Sequence, residues 1–147
     1  MHAATVPSIP KSARISAILE VLERTYPDAH CELNFQSPLE LLMATILSAQ
    51  CTDVRVNQVT KVLFDRCKTA RDYVEIPVTE LESIIRSTGF YRAKAKNLKS
   101  CASALVTRHG GEVPRSLEEL TQLAGVGRKT ANVVLGDAFQ TPYGVVV

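Results

Sequence analysis

Two cations lie where a helix is expected to begin. The stretch LTQLAGVGRKTANVVLGDAF, residues 120–139, has the pattern of a helix, a tight Gly-x-Gly turn and a second helix, and Arg128 and Lys129 directly follow the second glycine. A helix amino terminus carries roughly half a positive charge and so disfavours cations. Because a lysine whose ammonium form is disfavoured becomes a better nucleophile, covalent catalysis is one hypothesis. A pair of ordinary surface cations is the alternative.

The same turn has the features of an anion site. Gly125 and Gly127 can adopt positive φ, and without side chains they let a ligand reach the backbone. Their amides, together with the start of the next helix, would suit a phosphate, to which Thr130 could add its hydroxyl. The alternative is a helical hairpin in which the glycines only make the turn.

The composition is that of an ordinary globular domain. The 147 residues are 46% hydrophobic and 22% charged, and the net charge of +2 is too small to predict a nucleic-acid partner by itself. No apolar run reaches 18 residues, and the start, MHAATVPSIP, lacks a secretory signal pattern. Cys31, Cys51, Cys67 and Cys101 are too widely and irregularly spaced for a metal site. Free thiols and a cytoplasmic location are therefore expected.

Helical periodicity predicts an all-α protein of about eight helices. The segment Ile15–Tyr26 has the spacing of an amphipathic first helix. Residues 37–50, SPLELLMATILSAQ, open with Ser37 as a cap and Pro38 at the first helical position. Because this segment is apolar on almost every side, it is typical of the central, buried helix of a bundle.

Capping motifs and glycines predict where further helices begin and end. Capping boxes are expected at Thr79 with Glu82 and at Ser116 with Glu119. A long helix over 92–109 is expected to end at the two glycines that follow it. The sequence contains no alternating strand pattern and no β-hairpin signal.

Four stretches, in order, carry a resemblance to one family: ELNFQSPLELLMATILSAQCTD, STGFYRAKAKNL, GGEVPRSLEEL and LAGVGRKTANVVL. The last resembles the helix–hairpin–helix motif of the endonuclease III family of DNA repair glycosylases, in its form with lysine. The likeness extends from about Arg14 to Val147. One departure is Ala124, where the family commonly has proline.

The resemblance implies the helix–hairpin–helix DNA glycosylase fold. Residues 31–140 would form mainly its six-helix barrel domain, with the hairpin at 116–138. Residues 1–30 would contribute the first helix of the second, cluster-bearing domain, which is otherwise largely missing. Residues 141–147 would begin the truncated return segment.

The resemblance also implies base-excision DNA repair by a bifunctional DNA N-glycosylase and AP lyase that acts on oxidised pyrimidines. Lys129 would be the catalytic nucleophile, forming a Schiff base with the sugar C1′ before β-elimination. A free lysine, with a pKa of about 10.4, is almost wholly protonated at neutral pH. The helix end, Arg128 and a partly dry site would each disfavour the ammonium form of Lys129. The alternatives are a monofunctional glycosylase of the same superfamily, whose members generally lack this lysine, and a non-catalytic DNA-binding module.

The implied partner is double-stranded DNA that contains damaged pyrimidines or abasic sites, bound by a monomer without membrane contact. By resemblance, Phe90 would be the apolar plug beside the opened base pair, and Gln50 would enter the vacated stack. A core phenylalanine and a simple polar helix end are the alternatives. The remaining expected DNA-binding residues are Arg92, Lys94, Gly125, Val126, Gly127, Arg128 and Thr130.

Arg92 and Lys94 belong to a local group of cations. The stretch from Arg86 to Gly111 contains six basic residues and no acidic one: Arg86, Arg92, Lys94, Lys96, Lys99 and Arg108. The positive charge of this stretch suits contact with a phosphate backbone. The alternative is that the cations line a solvated helix face.

Two features of the family are expected outside this sequence. Its 4Fe–4S cluster is held by four cysteines near the carboxyl end of the full protein. None of the cysteines here matches them, so no metal ligand is assigned. The family's active-site aspartate, in a Val-Asp-Thr-His stretch, would come directly after Val147. The chain is therefore expected to be truncated and impaired, and the full protein to be associated with a bacterial nucleoid.

Overall fold

The structure is a computed structural model that describes residues 32–139, and all of these except Glu32 belong to one unit that begins at Leu33. The helices are α1 (Pro38–Leu47), α2 (Asp53–Arg66), α3 (Ala70–Glu75), α4 (Val78–Ile85), α5 (Tyr91–His109), α6 (Leu117–Thr121) and α7 (Arg128–Val133). A 3₁₀ turn follows α4 at Arg86–Thr88, and a π-helical turn, Val134–Ala138, continues α7. The all-α prediction is confirmed, since residues 32–139 contain no strand. The predicted first helix and residues 141–147 lie outside the described range.

Helix α1 is the central helix, as its composition predicts. The Ser37 hydroxyl accepts a hydrogen bond from the Glu40 amide at 3.2 Å, and Pro38 occupies the first turn. The helix packs against α2, α5, α7 and the π-helical turn. Its buried residues are Leu41, Leu42, Met43, Ala44, Ile46 and Leu47. Burying each leucine side chain stabilises the fold by about 1.5–3 kcal/mol, so α1 is the main apolar contact of the bundle.

Helix α5 is the longest helix of the described chain and connects several others. It packs on α3, α4 and α1. It ends as predicted at Gly110, whose φ is 61°, and the Gly111 amide donates to the Leu105 carbonyl at 2.8 Å. Positive φ at both glycines closes the helix in the manner of a Schellman motif. The buried stripe of α5 consists of Lys94, Ala95, Leu98, Cys101, Ala102 and Leu105.

The predicted capping box at Thr79 is wrong. Helix α4 begins at Val78 with Pro77 as its N-cap, and no side chain caps it. Proline already has a helical φ and has no N–H to satisfy, so the helix can start directly after it. A capping box that the sequence analysis missed lies one helix earlier, at Thr69 and Asp72. Of the predicted box at Ser116, the serine half is found, since its hydroxyl accepts from the Glu119 amide at 3.0 Å, whereas the Glu119 carboxylate lies 3.6 Å from the His109 Nδ1.

Candidate functional site

The hairpin predicted at 116–138 is built from α6, a turn over 122–127 and α7 with its π-helical continuation. Three buried apolar side chains hold the turn against the bundle: Leu120, Leu123 and Val126. The Val126 amide donates to the Leu123 carbonyl at 3.1 Å. Because its side chain is buried, Val126 can offer a ligand only its backbone.

The two glycines of the turn have different structural roles. Gly125 has φ +77°, and a Cβ built there would lie 3.0 Å from the Asn97 Cβ on α5. The fold itself therefore requires glycine at this position. Gly127 does not adopt the positive φ that we expected, since its φ is −90° and its ψ is −177°. A Cβ at Gly127 would meet no other atom within 4 Å. Neither packing nor backbone strain explains this glycine, which leaves its surface open to an approaching ligand.

Arg128, Lys129 and Thr130 form the first turn of α7. Gly127 is the N-cap, and no side chain caps the helix. The Ala131 amide makes the helical bond to the Gly127 carbonyl at 2.9 Å. The amides before it therefore sit at the positive end of the helix, as helix geometry requires. This first turn contains no acidic residue.

Lys129 is exposed, so its amine can reach a partner outside the chain. The partly dry surroundings that we expected are not found in the free chain, and exclusion of water there would have to come from a bound partner. Arg128 is also exposed, and Thr130 is half-buried. The arrangement can present one amine and two further polar groups to an anionic ligand.

Gln50 and Phe90 share an unusual backbone conformation. They are the only non-glycine residues with positive φ among residues 32–139, at 52° and 47°. For a bulky side chain this conformation is an outlier that costs of order 1–3 kcal/mol and is enriched at functional sites. Phe90 is also 67% exposed, so it is not a core phenylalanine. Sequence reasoning identified both residues by resemblance but gave no sign of the strain.

Arg92 comes two residues after Phe90 and is exposed. The guanidinium carbons of Arg86 and Arg92 lie 5.2 and 5.3 Å from the centroid of the Tyr91 ring. Both guanidinium groups are therefore held by cation–π contacts at the amino-terminal end of α5. This local order favours a fixed positive surface beside Phe90.

Lys94 is not part of that surface, which corrects the expectation that it contacts a phosphate. It is 5% exposed, and its Nζ donates to the carbonyls of Leu47 and Thr88 at 2.8 Å each. Burial lowers the pKa of Lys94. The spacing of the sequence contains the signal that would have shown this, because residues 94, 98, 101 and 105 follow one face of a helix.

Lys99 is also engaged within the fold. Its Nζ donates to the backbone carbonyls of Tyr73, Val74 and Ile76 at the end of α3. Of the six predicted cations, four are exposed: Arg86, Arg92, Lys96 and Arg108. The basic surface is therefore smaller than the sequence predicts.

The cysteines do not provide a metal centre in the described range. Residues 32–139 contain no group of three or more potential ligands that could hold a metal ion. Burial raises the pKa of Cys67 to about 11 and that of Cys101 to about 12. Both thiols therefore stay protonated at neutral pH, whereas an iron–sulfur cluster needs thiolates.

Known proteins share this architecture. Endonuclease III of Synechocystis sp. strain PCC 6803 is 50% identical over 137 residues, which are 93% of this chain and 63% of that protein. Endonuclease III of Bacillus subtilis strain 168 is 48% identical over 129 residues, 88% of this chain and 59% of that protein. The chain thus spans less than two thirds of the length of these relatives.

A solved structure of a non-covalent endonuclease III–DNA complex matches with a TM-score of 0.83 and 49% identity, over 90% of this chain and 62% of that one. No helix among residues 32–139 is long and apolar enough to cross a membrane. Residues 43–141 match the family described as HhH-GPD superfamily base excision DNA repair protein. Because this match extends over more than half of the residues, the chain belongs to the HhH-GPD superfamily of base excision DNA repair proteins.

Proposed function

We propose that this chain provides the nucleophile and much of the DNA-binding surface of a bifunctional DNA N-glycosylase and AP lyase that acts on oxidised pyrimidines. The observation that carries the proposal is the position and exposure of Lys129. It is an exposed amine in the first turn of α7, directly after a turn whose second glycine is open to a ligand. The similarity to endonuclease III from two bacteria supports the same activity.

The proposed chemistry uses Lys129 as an amine nucleophile. Its unprotonated Nζ attacks C1′ of the open-chain aldehyde at an abasic site. Water leaves as the C=N bond of a Schiff base forms. The positive iminium then assists loss of a proton from C2′, and the bond from C3′ to the phosphate oxygen breaks by β-elimination. On an intact damaged nucleoside, the same amine attacks C1′ as the C1′–N bond breaks, and the base leaves with the proton that the amine gives up. Opening of the C1′–O4′ bond of the sugar ring then gives the same Schiff base.

The hairpin would hold the DNA backbone so that this amine reaches the sugar. The space that a Cβ of Gly127 would occupy is open, and Arg128 and Thr130 follow it in the first turn of α7. Contacts of this kind position a duplex without reading its sequence. Arg92, held against Tyr91, would add a second phosphate contact.

Gln50 and Phe90 would act on the base stack. Phe90 is a large apolar side chain that the fold holds exposed on a strained backbone. An enzyme that extrudes a nucleotide has to fill or wedge the gap that remains, and apolar side chains do this in distorted DNA. We assign the wedge to Phe90 and the occupation of the gap to Gln50.

The cysteines of the described chain do not fit a 4Fe–4S cluster, so no step of this proposal involves one. If the whole protein carries the cluster that the family resemblance implies, its ligands lie outside residues 32–139.

Borohydride trapping on a duplex with one abasic site tests the proposal. Borohydride reduces the Schiff base to a stable amine, so the protein becomes covalently attached to the DNA. We expect an adduct with the wild-type chain and none with Lys129→Ala. Lys61→Ala removes an exposed lysine of α2 and serves as the matched control, which should trap like the wild type.

Each alternative predicts a different result. A monofunctional glycosylase would give no trapped adduct on the abasic duplex, but it would release the base from a duplex that carries an oxidised pyrimidine. A non-catalytic DNA-binding module would bind the duplex and give neither product. An adduct that persists at full yield in Lys129→Ala would contradict the assignment of the nucleophile.

A further inference from the structure

A single buried ammonium joins two turns that are far apart in the sequence. The Lys94 Nζ donates to the carbonyl oxygens of Leu47 and Thr88, at 2.8 Å each. Leu47 ends α1, and Thr88 ends the 3₁₀ turn before α5. Because both oxygens bond to the same nitrogen, the distance between them is at most twice the length of one of these hydrogen bonds.

Each of these carbonyls lies just before one of the strained residues. Gln50, with φ 52°, comes three residues after Leu47, and Phe90, with φ 47°, comes two residues after Thr88. The backbone amide of Lys94 also donates to the Phe90 carbonyl at 3.0 Å. Lys94 thus contacts Thr88, the backbone of Phe90 itself and the helix end that leads to Gln50.

We propose that Lys94 is a positioning residue that fixes the spacing between Gln50 and Phe90, the two side chains that enter the DNA stack. This inference rests on the proposed function of those two residues. Strained backbone conformations persist only where the surroundings determine them strongly. Two charge-assisted hydrogen bonds from one atom supply that constraint at both turns at once.

The chemistry of the site explains why a lysine performs this role. The carbonyl ends of helices carry partial negative charge, so they can accept from a buried cation without a carboxylate partner. An ammonium group has three donors on a flexible stem and can reach acceptors on separate elements. Burial lowers the pKa of Lys94, which is consistent with a cation that water does not solvate.

The test compares affinities for two otherwise identical duplexes, one intact and one with a tetrahydrofuran abasic analogue, whose sugar has no aldehyde for Lys129 to attack. The abasic site lowers the cost of unstacking, so a preference for that duplex reports on Gln50 and Phe90. Lys94→Met keeps the length of the side chain and removes both hydrogen bonds. We expect it to reduce the abasic-to-intact affinity ratio by about tenfold, the order associated with a lost charged hydrogen bond. Binding to the intact duplex should change by less than about twofold.

Lys61→Met is the matched control, because Lys61 is an exposed lysine of α2 outside the basic stretch of residues 86–111. It should leave the ratio unchanged. An unchanged ratio in Lys94→Met, or an equal loss on both duplexes, would overturn the inference. If the wild-type chain itself shows neither a preference for the abasic duplex nor a trapped adduct, the proposed function fails, and this result is distinct from a failure at Lys94.

A second measurement does not depend on the folding of Lys94→Met. Burial lowers the pKa of Lys94, so its ammonium loses a proton as the pH rises through that lowered pKa. The two hydrogen bonds lose their charge, and the wild-type affinity ratio should fall. In Lys94→Arg the guanidinium stays charged over this range. The abasic-to-intact affinity ratio of this variant should therefore not change with pH, even if it differs from the wild-type ratio.

Cys51 is the titratable group whose charge acts on Lys94 among the described residues. It is present in both proteins, so its influence is the same in both profiles. If the affinity ratio changes with pH in the same way in the wild type and in Lys94→Arg, the inference is overturned.

Discussion

The two glycines of the hairpin turn should respond in opposite ways to substitution. Gly125→Ala places a Cβ at φ +77° and 3.0 Å from the Asn97 Cβ. The backbone conformation costs about 1–2 kcal/mol for a residue with a Cβ, and the crowding adds a further ~1–3 kcal/mol. We expect Gly125→Ala to lower the free energy of unfolding by about 2–5 kcal/mol, which corresponds to a fall of roughly 8–20 °C in Tm.

Gly127→Val should leave the fold intact. The backbone at Gly127 is extended, with φ −90°, and a Cβ meets no other atom within 4 Å. Replacing glycine there restricts the unfolded chain, but valine is a poorer N-cap than glycine, so the two effects oppose each other and stability should change by less than about 1 kcal/mol. The added methyl groups would instead cover the surface where a phosphate approaches. We expect affinity for any duplex, damaged or intact, to fall about tenfold through the loss of a charged hydrogen bond.

Thermal unfolding and fluorescence anisotropy with a labelled duplex measure both effects. Gly136→Ala is the matched control, because a Cβ at Gly136 also meets no other atom within 4 Å and the residue lies outside the turn. It should change neither quantity appreciably. The reasoning is refuted if Gly127→Val binds DNA like the wild type, or if it loses as much stability as Gly125→Ala.

Three further predictions concern the stability of the fold and the burial of its cysteines. Lys99→Met should lower the free energy of unfolding by about 1–3 kcal/mol, because it leaves the carbonyls at the end of α3 without their donor. Thermal unfolding measures this loss, and an equal loss in Lys96→Met would contradict the explanation. The Asp72 carboxylate accepts from the Lys68 and Thr69 amides, which lowers its pKa, so its contribution is complete above about pH 4 and is lost as the pH falls through the lowered pKa. Asp72→Asn should flatten the acid limb of a stability-against-pH curve, and an unchanged limb would show that other groups control it. Cys67 and Cys101, whose pKa values are about 11 and 12, should resist iodoacetamide at about pH 8 in the folded chain and react after denaturation. Mass spectrometry would show this, and rapid modification of either native thiol would contradict their burial.

Local signals predicted the elements of the fold well. Ser37 and Pro38 mark the start of α1, and the apolar residues after them predict its burial, because capping and periodicity depend on a few adjacent positions. The predicted box at Thr79 failed because such a motif also occurs by chance inside a first turn. There the preceding Pro77 had already fixed the helix start.

Properties that depend on distant contacts could not be predicted in the same way. The crowding of Gly125 comes from Asn97, a residue of another helix. The positive φ of Gln50 and Phe90 follows from how two turns meet, and no local sequence rule requires it. The burial of Lys94 was predictable from helical periodicity, but its acceptors at Leu47 and Thr88 were not.

The most direct test of the central claim is to identify the residue that becomes attached to DNA. A borohydride-trapped complex on an abasic duplex would be digested with protease and nuclease and mapped by tandem mass spectrometry. We expect the residual sugar on the Nζ of Lys129, and no modification of its exposed counterpart Lys96. A sugar mapped to any other residue, with Lys129 unmodified, would contradict the account.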